Sequence, residues 1–129
     1  MDKIASTYKL ADLIIKDGKA YDDAVVAGDL DYIKQKGELI IGITLFAPMN
    51  YNDENGKLIG FETEFATAVC EKLGVTPKFV EINWNSKEIE LNSKNIDCIW
   101  NGMTITPERQ ENMSISVPYM QNKQVMVSK

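Results

Sequence analysis

Histidine is absent from the 129-residue chain, and several common kinds of functional site are excluded with it. Without an imidazole there is no Ser-His-Asp or Cys-His nucleophile system and no histidine-ligated metal site. Only two cysteines are present, which is too few for a disulfide scaffold or for a zinc site built from four cysteines. We therefore expect neither a metal site nor a cofactor. We expect Cys70 and Cys98 to be buried free thiols, and they do not decide the redox compartment.

Basic residues and long apolar runs are also scarce. The chain contains 14 Lys and Arg residues and 19 Asp and Glu residues, which gives a formal net charge of −5. Nucleic acids are bound by clustered Lys and Arg that displace counterions, so this balance argues against a nucleic-acid partner. The longest apolar run, residues 39–43, is far shorter than the roughly 18 residues of a membrane span. No basic segment followed by an apolar one opens the chain, so we predict no signal peptide in it.

The first part of the chain shows two helical patterns and then a strand pattern. Apolar residues at positions 4, 8, 11 and 15 share one helical face, which predicts a helix over residues 1–16. Residues 17–28 have no clear period and are interpreted as a connector. A short helix with Asp29 as its N-cap is predicted to end at Lys36. The apolar pattern of residues 38–43 then indicates a strand buried on both faces.

The middle of the chain contains a hairpin signal and the strongest helical pattern. Asn55-Gly56 favours a hairpin with a type I′ turn, in which both central residues need a positive φ. Apolar side chains every four residues predict a helix over Phe61–Leu73. Further strands are expected at residues 78–82 and 96–100.

The remaining signals mark two short helices and two extended segments. Asn85 followed by Glu88 resembles a capping box and predicts a helix that ends near Leu91. Thr106 and Pro107 suit the N-cap and first position of another short helix. Residues 114–117 and 124–127 are predicted to be extended. The order strand, helix, strand, helix, strand is typical of a parallel sheet covered by helices. We therefore expect a single α/β domain, a three-layer lobe with a mostly parallel sheet of about five strands.

Several residues near the ends of the predicted strands suit a small polar ligand. Arg109 lies in the first turn of a short helix, where its planar guanidinium offers a carboxylate two parallel hydrogen bonds. Phe46 follows the first strand and Trp84 the second, and the carboxyl ends of parallel strands meet along one edge. Each residue also has a structural interpretation, since Arg109 would ordinarily be a surface charge and Phe46 a core residue. Trp100, inside a strand, is interpreted as core.

Four motifs follow one another along residues 29–129. They are Glu38–Ile43, Phe46-Ala47-Pro48-Met49, Gly60-Phe61-Glu62-Thr63-Glu64, and the run from Ile96-Asp97 through Gly102-Met103-Thr104-Ile105-Thr106 to Arg109. By the order and spacing of these motifs together, and not by any single one, the sequence resembles the solute-binding proteins of ABC transporters for polar amino acids, family 3 of the periplasmic binding proteins. The resemblance implies the first lobe of a type II periplasmic binding protein.

The resemblance also implies a role for each candidate residue. Arg109 would bind the α-carboxylate of an amino acid, and Thr104 would help to hold the same group. The backbone carbonyl of Gly102 would accept a hydrogen bond from the α-ammonium, and Phe46 and Trp84 would enclose the ligand side chain. The parent protein would lie outside the cytoplasm and deliver its amino acid to an ABC-transporter permease.

The chain departs from this family in length and in arrangement. Family members have two lobes that close about a hinge, whereas residues 124–129 lie where the strand crossing to the second lobe would begin. Residues 1–16 resemble the family's C-terminal helix, so the chain is interpreted as one lobe with that helix at its front, joined by residues 17–28. An engineered circular permutant, an isolated half and a fragment of tandem binding domains all fit this pattern.

Two other functions of the same fold have to be weighed. A dehydratase of cyclic amino acids needs a general acid in the crevice. Glu62 and Glu64 are the nearest candidates, but acidic residues are favoured at a helix start in any case. A ligand-sensing input domain needs a membrane span, which the sequence lacks. We therefore expect a binding lobe without catalysis, weak or absent ligand binding by an open half-site, and a homodimer through the exposed crevice face or the C-terminal tail.

Overall fold

The computed structural model describes residues 29–121 and 123–129. The helix predicted over residues 1–16 and the connector at 17–28 lie outside the described residues. Along the described chain the elements follow one another as α1 (Asp29–Lys36), β1 (Glu38–Ile43), β2 (Tyr51–Asn52), β3 (Leu58–Ile59), α2 (Phe61–Leu73), β4 (Thr76–Glu81), a 3₁₀ helix (Trp84–Ser86), α3 (Lys87–Asn92), β5 (Cys98–Ile99) and α4 (Pro107–Asn112).

A parallel sheet of three strands forms the centre of the fold, with β1 between β4 and β5. β1 pairs with β4 along its whole length, from Glu38 opposite Thr76 to Ile43 opposite Glu81. Ile41 at the middle of β1 is completely buried. The α/β class and the parallel order are confirmed.

The expected number of about five strands in this sheet is wrong. In the described part of the chain the parallel sheet has three strands, and β2 and β3 form a separate antiparallel pair. Residues 114–117 and 124–127 belong to no strand there. An extended sequence pattern becomes a strand only where the fold supplies a partner edge for its N–H and C=O groups.

Helix α2 supplies most of the core that packs against the sheet. Phe65 is completely buried and touches the rings of Trp100 and Tyr119 edge-on, at centroid distances of 5.3 and 4.8 Å. Trp100 is half-buried and packs against the core clusters, as its interpretation as a core residue requires. Gly74 ends α2 in the left-handed conformation with φ 75°, which a residue without Cβ adopts at no cost.

Both cysteines are free thiols, but their burial differs. Cys70 is completely buried in the core, and burial raises the pKa of its thiol to about 11. The Cys98 side chain is half-buried. Loss of contact with water also raises the pKa of its thiol. Both thiols are therefore protonated near neutral pH, which makes them poor nucleophiles.

Two local predictions need correction. The hairpin between β2 and β3 exists, but only Gly56 of its turn has a positive φ, so the turn is not type I′. The side chain of Asp53 accepts hydrogen bonds from the N–H groups of Asn55 and Lys57. The N–H of Gly56 also donates to the carbonyl of Asp53 at 3.0 Å, which closes the turn. Asn83, not Asn85, is the capping residue after β4, because its side chain accepts from the N–H of Asn85 at 2.9 Å.

Candidate functional site

Three chain segments leave the sheet at the same edge. The strands β4, β1 and β5 are parallel neighbours, so their carboxyl ends lie side by side. Residues 44–50 follow β1, the 3₁₀ helix Trp84–Ser86 follows β4, and residues 100–106 follow β5. Ligands of open α/β sheets bind at this edge, which makes it the candidate site.

The segment after β1 is closed by the amino end of α2. The N–H groups of Phe61 and Glu62 donate to the carbonyls of Pro48 and Met49, at 3.1 and 3.0 Å. These first-turn N–H groups have no partner within their own helix, so the loop caps it. Phe46 at the front of the loop is 56% exposed, so its interpretation as a core residue is wrong. Its side chain faces solvent on the loop that we predicted to line the site.

A buried amide network joins the segments after β1 and β5. The Nδ2 group of Asn101 donates to the carbonyl of Thr44 at 2.8 Å and to Oδ1 of Asn50 at 2.6 Å. The Thr44 hydroxyl donates back to Oδ1 of Asn101, and Nδ2 of Asn50 donates to the hydroxyl of Thr63 in α2. Buried and mutually satisfied polar groups of this kind rigidify the elements that they connect.

Arg109 lies where a short helix and two loops meet. The hydroxyl of Thr106 caps α4 by accepting from the N–H of Arg109 at 3.3 Å, as predicted. The Nη1 group of Arg109 donates to the backbone carbonyl of Thr104 at 2.7 Å. The guanidinium carbon lies 5.9 Å from the ring centre of Trp84, within the range of a cation–π contact. The structure thus brings Arg109, Thr104 and Trp84 together.

A second cation shares the ring of Trp84. The Nζ atom of Lys87 lies 4.8 Å from the ring centre and also donates to the carbonyl of Trp84 at 3.3 Å. The sequence interpretation did not single out Lys87. Its position at the start of α3, three residues after an aromatic residue, is the only signal that would have indicated it.

Gly102 connects Arg109's segment to the rest of the candidate site. Its φ of +64° is one that glycine adopts readily, and a Cβ built there would lie 3.6 Å from both the Met49 side chain and Oε1 of Glu62. Phe46 lies on the same loop as Met49, whose side chain is 3.6 Å from the position of that Cβ. Of the five predicted residues, three are in contact or connected by a hydrogen bond, and Gly102 and Phe46 lie on adjoining loops.

A carboxylate lies beneath this surface. Glu62 is completely buried, although its position at a helix start is typical of an ordinary acidic residue favoured by the helix dipole. The Tyr119 hydroxyl lies 2.9 and 2.8 Å from its two oxygens. Burial raises the pKa of the Glu62 carboxyl, while Tyr119, Trp100 and the N–H of Gly102 act in the opposite direction. The indole nitrogen of Trp100 is buried without a hydrogen-bond partner among the described residues.

The raised pKa of Glu62 predicts a pH-dependent stability. Between the pKa of an unfolded glutamate, about 4.3, and the raised folded value, the folded chain keeps a proton that the unfolded chain has lost. The contribution of Glu62 to the free energy of unfolding therefore falls as pH rises through this window. We expect the difference between the original chain and Glu62→Gln, measured by urea unfolding from acidic to neutral pH, to fall in the same way. Parallel pH profiles of the two proteins would contradict the assignment.

Most of the chain is similar to known proteins of one family. Residues 39–129 match the model of the bacterial extracellular solute-binding proteins, family 3. The chain belongs to this family. The L-cystine-binding protein TcyJ of Escherichia coli (strain K12) is 36% identical over 93 residues, which cover 71% of this chain and 35% of TcyJ. The chain thus spans about a third of the length of that curated relative.

Solved structures of the family show the same fold. A point mutant of domain 1 from TmArgBP, the T. maritima protein, in its arginine-bound form, is 40% identical with a TM-score of 0.61. The match covers 64% of each chain. An ancestral cyclohexadienyl dehydratase is 35% identical with a TM-score of 0.69, over 74% of this chain and 40% of that one. The predicted family and its type II lobe architecture are confirmed.

Within residues 29–121 and 123–129, no three His, Cys, Asp or Glu side chains group so that they could hold a metal ion. No helix in that part of the chain has the length and apolar character needed to cross a membrane.

Proposed function

We propose that the chain is one lobe of an amino-acid-binding protein and that Arg109 and Thr104 bind the α-carboxylate of the ligand. The observation that carries this proposal is the position of Arg109, whose Nη1 is held by the Thr104 carbonyl beside the ring of Trp84. A guanidinium has five N–H donors in a planar fork, so one bond to Thr104 leaves the others for a carboxylate. The fold places this group at the carboxyl edge of the sheet.

The other proposed contacts come from the surrounding loops. The carbonyl of Gly102 would accept from the α-ammonium group, and Phe46 and Trp84 would enclose the ligand side chain. The exposure of Phe46 and the half-buried ring of Trp84 support this assignment, because both offer apolar surface at the same edge. The relatives bind cystine or arginine by name, which supports an amino acid as the ligand class.

The whole protein is proposed to work in uptake. Residues 29–129 would form the first lobe, with residues 1–16 taking the place of the family's C-terminal helix and 17–28 joining the two. The parent protein would bind its amino acid outside the cytoplasm and deliver it to an ABC-transporter permease. The description of the family as extracellular and the cystine-binding relative support this placement.

A single open lobe is expected to bind weakly. Without a facing lobe, water screens the pairing of Arg109 with a carboxylate, so we expect a millimolar dissociation constant. The arginine-bound form of domain 1 from TmArgBP supports binding by one lobe of a relative. Calorimetric titration of the chain with each of the twenty amino acids tests the proposal. Binding of at least one amino acid supports it, and absence of binding by all of them at about 10 mM, above the expected constant, contradicts it.

An enzyme is the second candidate, since one structural neighbour is an ancestral dehydratase. The nearest acid, Glu62, is buried beneath Gly102 and engaged by Tyr119, which is a poor position for a general acid that must reach a ligand. We therefore propose binding without catalysis. Incubation with a cyclohexadienyl amino acid should leave its absorption spectrum unchanged, whereas formation of an aromatic product would favour the enzyme.

The exposed C-terminal tail predicts self-association. Val125, Met126 and Val127 are 68%, 100% and 92% exposed, and Phe46 adds apolar surface on the crevice face. Apolar surface of this kind tends to find a partner, and a net charge of −5 opposes contact only within about 8 Å at physiological salt. We expect a concentration-dependent homodimer in sedimentation experiments. Met126→Lys should weaken a dimer formed through the tail and Phe46→Ser one formed through the crevice face, and a monomer at every concentration up to about 1 mM would contradict both.

A further inference from the structure

Asn101 lies where the polypeptide leaves the sheet toward the proposed ligand contacts. The N–H of Trp100, the residue before it, donates to the carbonyl of Gly42 in β1 at 3.2 Å, and Gly102 follows it directly. Only 7% of Asn101 is exposed. A buried amide is costly unless it is hydrogen-bonded, so the partners of Asn101 decide where this part of the backbone lies.

Both N–H donors of the Asn101 amide are used. Its Nδ2 group donates to the carbonyl of Thr44 at 2.8 Å and to Oδ1 of Asn50 at 2.6 Å. Its Oδ1 accepts from the hydroxyl of Thr44 at 2.6 Å. A rotated amide would set Oδ1 against the carbonyl oxygen of Thr44, so a single orientation satisfies all three bonds. The bond between Asn101 and Asn50 is the amide link between the segments that follow β5 and β1.

The Asn50 end of the amide link belongs to the loop that carries Phe46. The N–H of Phe46 donates to the carbonyl of Asn50 at 2.6 Å, and the N–H of Asn50 donates back to the carbonyl of Phe46 at 2.9 Å. Asn50 is completely buried, and its Nδ2 group donates to the hydroxyl of Thr63 in α2 at 3.0 Å. A continuous path of hydrogen bonds and one peptide bond therefore joins Phe46 to Gly102.

We propose that Asn101 is a positioning residue of the binding site, because its buried amide holds the loop of Phe46 in a fixed place relative to the segment that begins at Gly102. That segment presents Thr104 and Arg109 to the ligand. This inference rests on the proposed function, and it assigns Asn101 no contact with the amino acid itself. A ligand that touches both loops binds more tightly when their spacing is set before it arrives.

Amide NMR spectra of the full chain without ligand test the amide link itself. Asn101→Ala removes all three hydrogen bonds, and we expect the amide resonances of Phe46 and Gly102, on the two sides of the link, to shift together. Asn95→Ala is the matched control, because it makes the same change in the turn before β5, where the exposed Asn95 amide donates to Glu90 at 2.8 Å. It should leave both resonances in place. An unchanged Phe46 resonance in Asn101→Ala would overturn the inference.

Asn50→Ala breaks the amide link from its other end. Because Asn50 is completely buried, it is out of reach of the ligand, and this variant preserves a test if Asn101→Ala fails to fold. A hydrogen bond between neutral groups corresponds to about a two- to tenfold change in an equilibrium constant, so each variant should weaken amino-acid binding by about that factor in an NMR titration. The double variant should bind no more weakly than the weaker single variant, because both changes act through one link. Losses that add would overturn the inference.

Ile41→Val separates positioning from stability. Ile41 is completely buried in β1, and removing one methylene lowers the free energy of unfolding without touching the amide link. We expect its amino-acid affinity to stay unchanged, and a loss equal to that of the asparagine variants would show that affinity simply follows stability. Unchanged affinity in both asparagine variants would also overturn the inference. Binding of no amino acid by the original chain would instead overturn the proposed function, since the ligand-free spectra still report on the amide link.

Discussion

Replacing Gly60 by alanine is expected to lower the free energy of unfolding by about 2–6 kcal/mol, since backbone strain and steric overlap each cost about 1–3 kcal/mol. Gly60 has a φ of +125° just before α2, a conformation that residues with a Cβ rarely adopt. An added Cβ would lie closer than 3 Å to backbone atoms of both Pro48 and Met49. The backbone of the loop after β1 would have to move, and with it the contact between Met49 and Gly102. Urea unfolding measures the loss.

Gly56→Ala is the matched control for this substitution. Gly56 also has a positive φ, +79°, but no atom lies within 4 Å of the position of an added Cβ. We expect only the cost of the left-handed conformation, about 1–2 kcal/mol. Equal destabilisation by the two substitutions would show that the close approach of the loop at Gly60 does not matter.

Replacing Arg109 by methionine is expected to reduce amino-acid affinity at least tenfold, because charge-assisted hydrogen bonds to the α-carboxylate contribute about 1.5–3 kcal/mol. A millimolar constant would then move beyond the range of calorimetry. Stability should change little, since Arg109 is half-buried in a short helix at the surface.

Lys87→Met provides the comparison for Arg109. It removes the same charge from the ring of Trp84, where Lys87 Nζ lies 4.8 Å from the ring centre. Lys87 makes no hydrogen bond to Thr104 among those described, so we expect its loss to change affinity less than threefold, about 0.65 kcal/mol. Equal losses for both variants would indicate that general positive charge, and not the geometry of Arg109, attracts the ligand.

Elements that depend on nearby residues are predicted accurately from this sequence. Helix α2 begins at Phe61 and ends at Leu73 as its period predicts, and Thr106 caps α4. The hairpin turn was mispredicted because the Asp53 side chain outweighs the preference of Asn-Gly. The strand count was wrong because pairing depends on a distant partner edge, which an extended pattern in residues 114–117 does not reveal.

In the candidate site, too, contacts between nearby residues follow from the sequence and contacts between distant residues do not. Arg109 and Thr104 are five residues apart, and their hydrogen bond follows from the turn that precedes α4. The contact between Tyr119 and Glu62 spans 57 residues, and that between Asn101 and Asn50 spans 51. No periodicity or local motif relates residues at such distances, so the buried support of the site emerges only from the fold.

The proposed amino-acid half-site consists of Arg109, Thr104, Gly102, Phe46 and Trp84. The most direct measurement is an NMR titration of the 129-residue chain with the amino acid that binds best in calorimetry. We predict saturable shifts, in the millimolar range, in the amides of Gly102 and Thr104, the indole of Trp84 and the guanidinium of Arg109. Saturable shifts confined to other parts of the chain, or tight binding that persists in Arg109→Met, would contradict this half-site.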